Sequence, residues 1–164
     1  MSSGAPNLDA LVESVLSWLP CDLDQDEERV SIGLYRLLAE GRPVSEGSLG
    51  ARVDVSESRV NEILDSWIGV FRDDRRRVIG YWGLALDEME HRFEVGGQTL
   101  YTWCAWDSLF IPHILRQTAH VESRCPVTQT PIRLIACPQC CERGSGSIRI
   151  AKYVPGLGIT QEIE

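Results

Sequence analysis

The stretch His91-Arg92-Phe93-Glu94-Val95-Gly96-Gly97-Gln98-Thr99-Leu100-Tyr101-Thr102-Trp103-Cys104-Ala105-Trp106-Asp107 decides how the second half of this chain is built. His91, Phe93 and Val95 alternate as in a half-buried strand, and Gly96-Gly97 is a two-residue turn signal. Thr99 and Tyr101 continue the alternation beyond it. The pattern predicts a hairpin that delivers the chain directly to Cys104. From Asp107 to Leu115 the residues are apolar and helix-like, with Pro112 tolerable only near the first turn or at a kink. Three residues of helix from Cys104 would bring its thiol and the Asp107 carboxylate onto one face, about one turn apart. The macrodipole and free N–H groups of a helix start then favour a thiolate. The same residues also read as a buried, inert cysteine followed by an aspartate that caps the helix.

Upstream, residues 1–9 are a small, polar tail. Asp9 caps a predicted short helix whose apolar residues Leu11, Val12, Val15, Leu16 and Leu19 stop at Pro20. Cys21 to Glu28 is an acidic linker that runs into the first turn of a helix over 28–40, where negative charge is favoured. Val30, Leu34, Leu37 and Leu38 give that helix its apolar stripe, and Gly41 and Pro43 close it. A second short helix begins at Ser45. A third is capped by Ser56 and carries Val60, Ile63, Leu64 and Trp67. Val70-Phe71 and Val78-Ile79-Gly80-Tyr81 are two strands around the charged turn at residues 73–77. Downstream, His120 to Arg124 and Ile132 to Ala136 are two more strands, and a final strand is expected near Ser147 to Val154.

The expected fold class is therefore α+β. A winged-helix-like three-helix module precedes a small mixed or antiparallel sheet domain that carries the cysteine and the aspartate. The expected boundaries are 1–27 for the N-terminal helix and acidic linker, 28–86 for the winged-helix-like module and 87–164 for the site-bearing domain.

Composition narrows the function classes. The 164 residues are 43% hydrophobic and 24% charged, the profile of a globular chain. A formal charge of −8 argues against a broad grip on nucleic acid or an anionic membrane. The helix at 56–67, where DNA would be read, carries three acids against Arg59 alone. The only strong basic cluster, Arg72, Arg75, Arg76 and Arg77, is diluted by Asp73 and Asp74, so a structural or interaction role is favoured over DNA recognition. No signal peptide or membrane span is visible, and the cytoplasm is the default location. Six cysteines in such a compartment read as thiols for metal or chemistry rather than as a disulfide framework.

Cys137-Pro138-Gln139-Cys140-Cys141 is a CxxC with a third thiol attached, a spacing that suits a soft metal. A structural zinc site would have to draw further ligands from Cys125, His113 or His120. A thioredoxin-like pair lacks its βαβ context. His91, His113 and His120 read as structural, Cys125 as a packed thiol, and Cys21 as a thiol whose ionisation its acidic neighbours oppose. Trp103 and Trp106 are candidate walls for an apolar group beside Cys104, or core.

Residues 91–96, then Leu100-Tyr101-Thr102-Trp103-Cys104-Ala105-Trp106-Asp107-Ser108-Leu109, then Val121-Glu122-Ser123-Arg124-Cys125, resemble the organomercurial (alkylmercury) lyase family, MerB. The resemblance extends over roughly residues 28–136. It implies proton-assisted cleavage of a carbon–mercury bond, giving a hydrocarbon and Hg(II). One cysteine captures the mercury, a second joins it, and an aspartate handles the proton. By motif match Cys104 is the first cysteine and Asp107 the aspartate. The implied partners are an organomercurial substrate and a mercuric reductase. No resident cofactor is implied, and free cellular thiols would remove Hg(II). The match departs at the second cysteine, because the family's Cys-Cys pair lies much later in an apolar, aromatic stretch. Here Cys140 substitutes, in a shortened or divergent C-terminal part. A shortened and impaired enzyme, a mercury binder without turnover, or a winged-helix metal-responsive regulator are the alternatives.

Overall fold

The computed structural model describes residues 23–138. The expected helix from Asp9, Cys21, Cys140, Cys141 and the expected strand near Ser147 to Val154 lie outside the described residues. The acidic stretch ends in a cap: the Asp24 carboxylate accepts the N–H groups of Asp26 and Glu27 at 2.9 Å each. Glu27 returns the bond to the Asp24 N–H at 2.8 Å. This reciprocal box satisfies donors that every helix start leaves open. It launches α1 (Gln25–Leu38), which buries Val30, Leu34, Tyr35, Leu37 and Leu38. Ser45 and Ser56 cap α2 (Glu46–Val53) and α3 (Glu57–Ser66) by accepting the N–H groups of Ser48 and Arg59.

The chain then enters one seven-stranded sheet made of β1 (Val70–Arg72), β2 (Val78–Tyr81), β3 (Leu84–Ala85), β4 (His91–Val95), β5 (Gln98–Thr102), β6 (Ala119–Arg124) and β7 (Pro131–Ala136). Helix α4 (Asp107–Leu115) lies between β5 and β6 in the chain. The strand order is β1-β2-β3-β5-β4-β6-β7, with every pairing antiparallel. A bridge from Val44 to Val78 ties the α1–α2 connection to the hairpin. Because β3 pairs with β5, the sheet runs unbroken across residue 86. The buried cluster is likewise continuous, from Val30, Leu34 and Ile63 on the helices to Phe93, Leu100 and Val121 on the sheet.

The hairpin forms as expected, but its second strand faces the other way. A two-residue turn pairs Val95 with Gln98, which sets Phe93 opposite Leu100 and His91 opposite Thr102. Directly opposed residues share a face. Leu100 and Thr102 are therefore the buried residues of β5, and Thr99 and Tyr101 point away. Gly96 and Gly97, at φ +57° and +77°, supply the left-handed pair this turn type needs.

Arg72, Arg76 and Arg77, around the β1–β2 turn, pair with nearby carboxylates. Arg72 pairs with Glu46 and, at 2.9 Å, with Asp65. Arg76 reaches Asp65 at 3.7 Å, and Arg77 holds Asp73 at 2.6 Å. Among the described residues no helix is long and apolar enough to cross a membrane.

Helix α1 offers a direct test of this packing. Leu34→Ala, at a fully buried position, is expected to lower unfolding free energy by about 2–5 kcal/mol in urea titrations. Ile32→Ala, on the exposed side of the same helix, is expected to change it by less than about 0.5 kcal/mol.

Candidate active site

Strand β5 ends at Thr102, whose buried hydroxyl shares a 2.9 Å hydrogen bond with the Ser108 hydroxyl and also donates to the Cys104 carbonyl at 3.2 Å. These bonds fold residues 103–106 into an irregular turn between strand and helix. The Trp103 N–H donates to the Gly83 carbonyl at 3.0 Å, which anchors the turn to the β2–β3 connection. Helix α4 starts only at Asp107, so Cys104 stands before the helix rather than on its first turn. Asp107 nonetheless meets it: one carboxylate oxygen accepts the Cys104 backbone N–H at 2.8 Å. Thiol and acid are side by side, joined through the backbone instead of by helical spacing.

Cys104 is an exposed, free thiol, not the inert core cysteine that was the alternative. The expected thiolate is also corrected. Partial enclosure of the sulfur, first, and then its hydrogen bond to the Asp107 carboxylate and that group's charge push the thiol above its ordinary range. Backbone N–H groups of Asp107 and Trp106 oppose this, in the sense expected of a helix start, but do not prevail. The Cys104 thiol therefore ionises less readily than an ordinary cysteine.

Aromatic rings flank the pair. Phe71 of β1 meets Trp103 edge-on, with centroids 5.0 Å apart at 85°. Trp106 is 64% exposed, so it belongs to the site surface rather than to the core. Beneath them the Trp82 indole N–H donates to the Ile68 carbonyl at 2.7 Å, and the Tyr35 hydroxyl donates to the Trp82 carbonyl at 2.7 Å. Burial, first, then Tyr81 and the Asp107 charge push the Tyr35 phenol well above its usual range, so it remains a donor. Phe71, Tyr35, Trp82 and Gly83 were not singled out from sequence. The only local signal was the density of Gly80-Tyr81-Trp82-Gly83, a glycine and aromatic cluster at a strand end.

The remaining candidates are dispersed. Cys125, free and half-buried in the β6–β7 turn, is not simply packed. The Thr128 hydroxyl and the N–H groups of Thr128 and Val127 hydrogen-bond its sulfur and hold the thiol below its ordinary range. Cys137 is disulfide-bonded, which departs from the all-thiol expectation. His91 shares a 2.8 Å hydrogen bond with Ser123, and His113 lies 3.4 Å from the Pro138 carbonyl, both in structural settings. A cavity of about 340 Å³ beside β4, β6 and β7 is lined by Arg92, Glu94, His120, Glu122 and Arg133 among others, and none of the described residues lining it is a cysteine. Among the described residues no cluster of three or more His, Cys, Asp or Glu is placed to hold a metal ion.

Fold and site together define a helix-plus-antiparallel-sheet protein with a paired cysteine and carboxylate at the end of a strand. Residues 84–150 match the family model for alkylmercury lyase, MerB, and through this segment the chain is MerB-like. The alkylmercury lyase of Pseudomonas putida is 44% identical over 108 residues, 66% of this chain and 50% of that protein. The alkylmercury lyase of Streptomyces lividans is 44% identical over 105 residues, 64% of this chain and 48% of its own length. The crystal structure of the mercury-bound form of MerB2 superposes with a TM-score of 0.56 at 26% identity, covering 79% of this chain and 62% of that one. The chain thus spans about half the length of the curated relatives it matches.

Cys104 and Cys125, the free thiols among the described residues, are expected to part company on titration. Alkylation by iodoacetamide, followed by peptide mass spectrometry across a pH series, should reach its midpoint at lower pH for Cys125 than for Cys104.

Proposed function

We propose that the chain is an organomercurial lyase that cleaves the carbon–mercury bond by protonolysis. The observation that carries this reading is the Cys104–Asp107 pair, closed by the 2.8 Å bond from the Cys104 N–H, inside the MerB-like segment. Mercury is soft and selects sulfur. Cys104 gives up its thiol proton to the Asp107 carboxylate as a sulfur–mercury bond forms to R–Hg⁺. A second thiolate then adds to the mercury and raises its electron density. The carbon–mercury bond breaks as the Asp107 proton passes to carbon, releasing R–H and restoring the carboxylate. The metal is left as Hg(II) between two sulfurs. A thiol pushed above its ordinary range suits this cycle, because it can supply the proton that later leaves on the hydrocarbon.

The second thiolate is assigned to Cys140, on its Cys-Cys sequence alone. Trp103, Trp106 and Phe71 offer apolar surface for the organic group. The rest of the reading follows from this chemistry: no resident cofactor, release of Hg(II) to free thiols or to a mercuric reductase, and a cytoplasmic setting that keeps Cys104 reduced. Residues 28–86 form a winged-helix-like module within it, which the three-helix-then-hairpin order and the Val44–Val78 bridge support. Its role is scaffolding; the pairing of Arg72, Arg76 and Arg77 with module carboxylates supports that over a phosphate-binding role.

Headspace assay of benzene from a phenylmercury salt with excess thiol tests the reading. Wild type is expected to turn over, Cys104→Ser to be inactive, and Asp107→Asn to lose about 10²- to 10⁴-fold. Absence of benzene from folded wild type would sink it.

A further inference from the structure

We propose that Gly83 is a positioning residue whose missing side chain forms the socket that sets the Asp107 carboxylate against Cys104. A methyl group built at Gly83 would stand 2.5 Å from Asp107 Oδ1 and 2.8 Å from its Cβ, and nearer still to Cγ. Three atoms of one acid therefore fill the volume that any side chain at 83 would claim. The socket is held from several directions. Tyr35 on α1 donates to the Trp82 carbonyl at 2.7 Å, and the Trp82 backbone N–H donates to the Gly69 carbonyl at 3.2 Å. The Trp82 indole is tied to Ile68, and the Gly83 carbonyl receives the Trp103 N–H at 3.0 Å. That last bond comes from the residue before Cys104, so the same peptide that makes room for the acid also anchors the thiol's turn. Trp82 and Gly83 connect β2 to β3 with φ of +31° and +92°.

The turn alone would favour glycine, since a side chain at φ +92° is strained whatever surrounds it. The proposal is distinct, because it ties the cost of a side chain at 83 to the presence of the Asp107 carboxylate. It rests on the reading of Asp107 as the proton carrier, but its structural half can be tested without turnover.

A double-mutant cycle on the full chain separates the two effects, with Gly83→Ala made in wild type and in Asp107→Gly. Backbone strain is common to both backgrounds and cancels; the contact with the acid does not. Gly83→Ala is expected to lower Tm by at least about 5 °C more in wild type than in Asp107→Gly. In the benzene-release assay, folded Gly83→Ala is expected to lose about 100-fold in kcat, with KM within about twofold. If Gly83→Ala alone fails to fold, recovery of the fold in Asp107→Gly supports the proposal. Equal Tm losses in both backgrounds, failure to fold in both, or full kcat in folded Gly83→Ala overturns it. An inactive wild type would count against the lyase reading, and the thermal cycle would still decide the socket.

Discussion

Strand β3 is two residues long, yet the architecture of the site hangs on it. Leu84 pairs with Thr102 and Ala85 with Tyr101, so this short ladder joins a helical half that ends in Gly83 to a sheet half that leads to Cys104. Leu84 is fully buried between them, and burial of such a side chain stabilises by about 1.5–3 kcal/mol. The pairing sets the register that brings Gly83 beside Asp107 and lets the Gly83 carbonyl take the Trp103 N–H. The cysteine and the acid are close in sequence, but the surface they rest on is made more than twenty positions earlier. Neither half of the chain contains the site by itself.

What could be read from sequence was what depends on near neighbours. Ser45 and Ser56 identify their helix starts because a cap needs only the next few N–H groups, and Gly96-Gly97 marks its turn because both positions need left-handed φ. The strands 119–124 and 131–136 were found within a residue of their bounds, since alternation and the intervening turn are local. The burial face of β5 was misread because counting straight through a two-residue turn ignores that Val95 and Gln98 sit side by side. Strand β3 offered no pattern, two residues being too few to show a period. Gly83 was invisible for a different reason: its function lies in what it leaves empty, and emptiness is defined by a residue on another element.

The ionisation of Cys104 shows the same division. The pull of the Trp106 and Asp107 N–H groups toward ionisation is real, in the sense expected of a helix start. It lost to partial burial and to the carboxylate. Cys125 runs the other way, as three hydrogen bonds from its own turn lower a thiol that sequence alone suggested was passive. Around the β1–β2 turn, Arg72 is met by Glu46 and Asp65, Arg76 by Asp65, and Arg77 by Asp73.

The strand order has a consequence for how the molecule comes together. Four of the six pairings, β1 with β2, β2 with β3, β4 with β5 and β6 with β7, join strands consecutive in the chain, and the other two skip a single strand or hairpin partner. Loops that close over short separations cost little entropy and form early, and chains rich in them fold quickly. During synthesis α1, α2, α3 and the Trp82-Gly83 turn leave the ribosome before the hairpin and Asp107. The reactive corner is therefore assembled only when β5 pairs with β3 and carries Asp107 to Gly83.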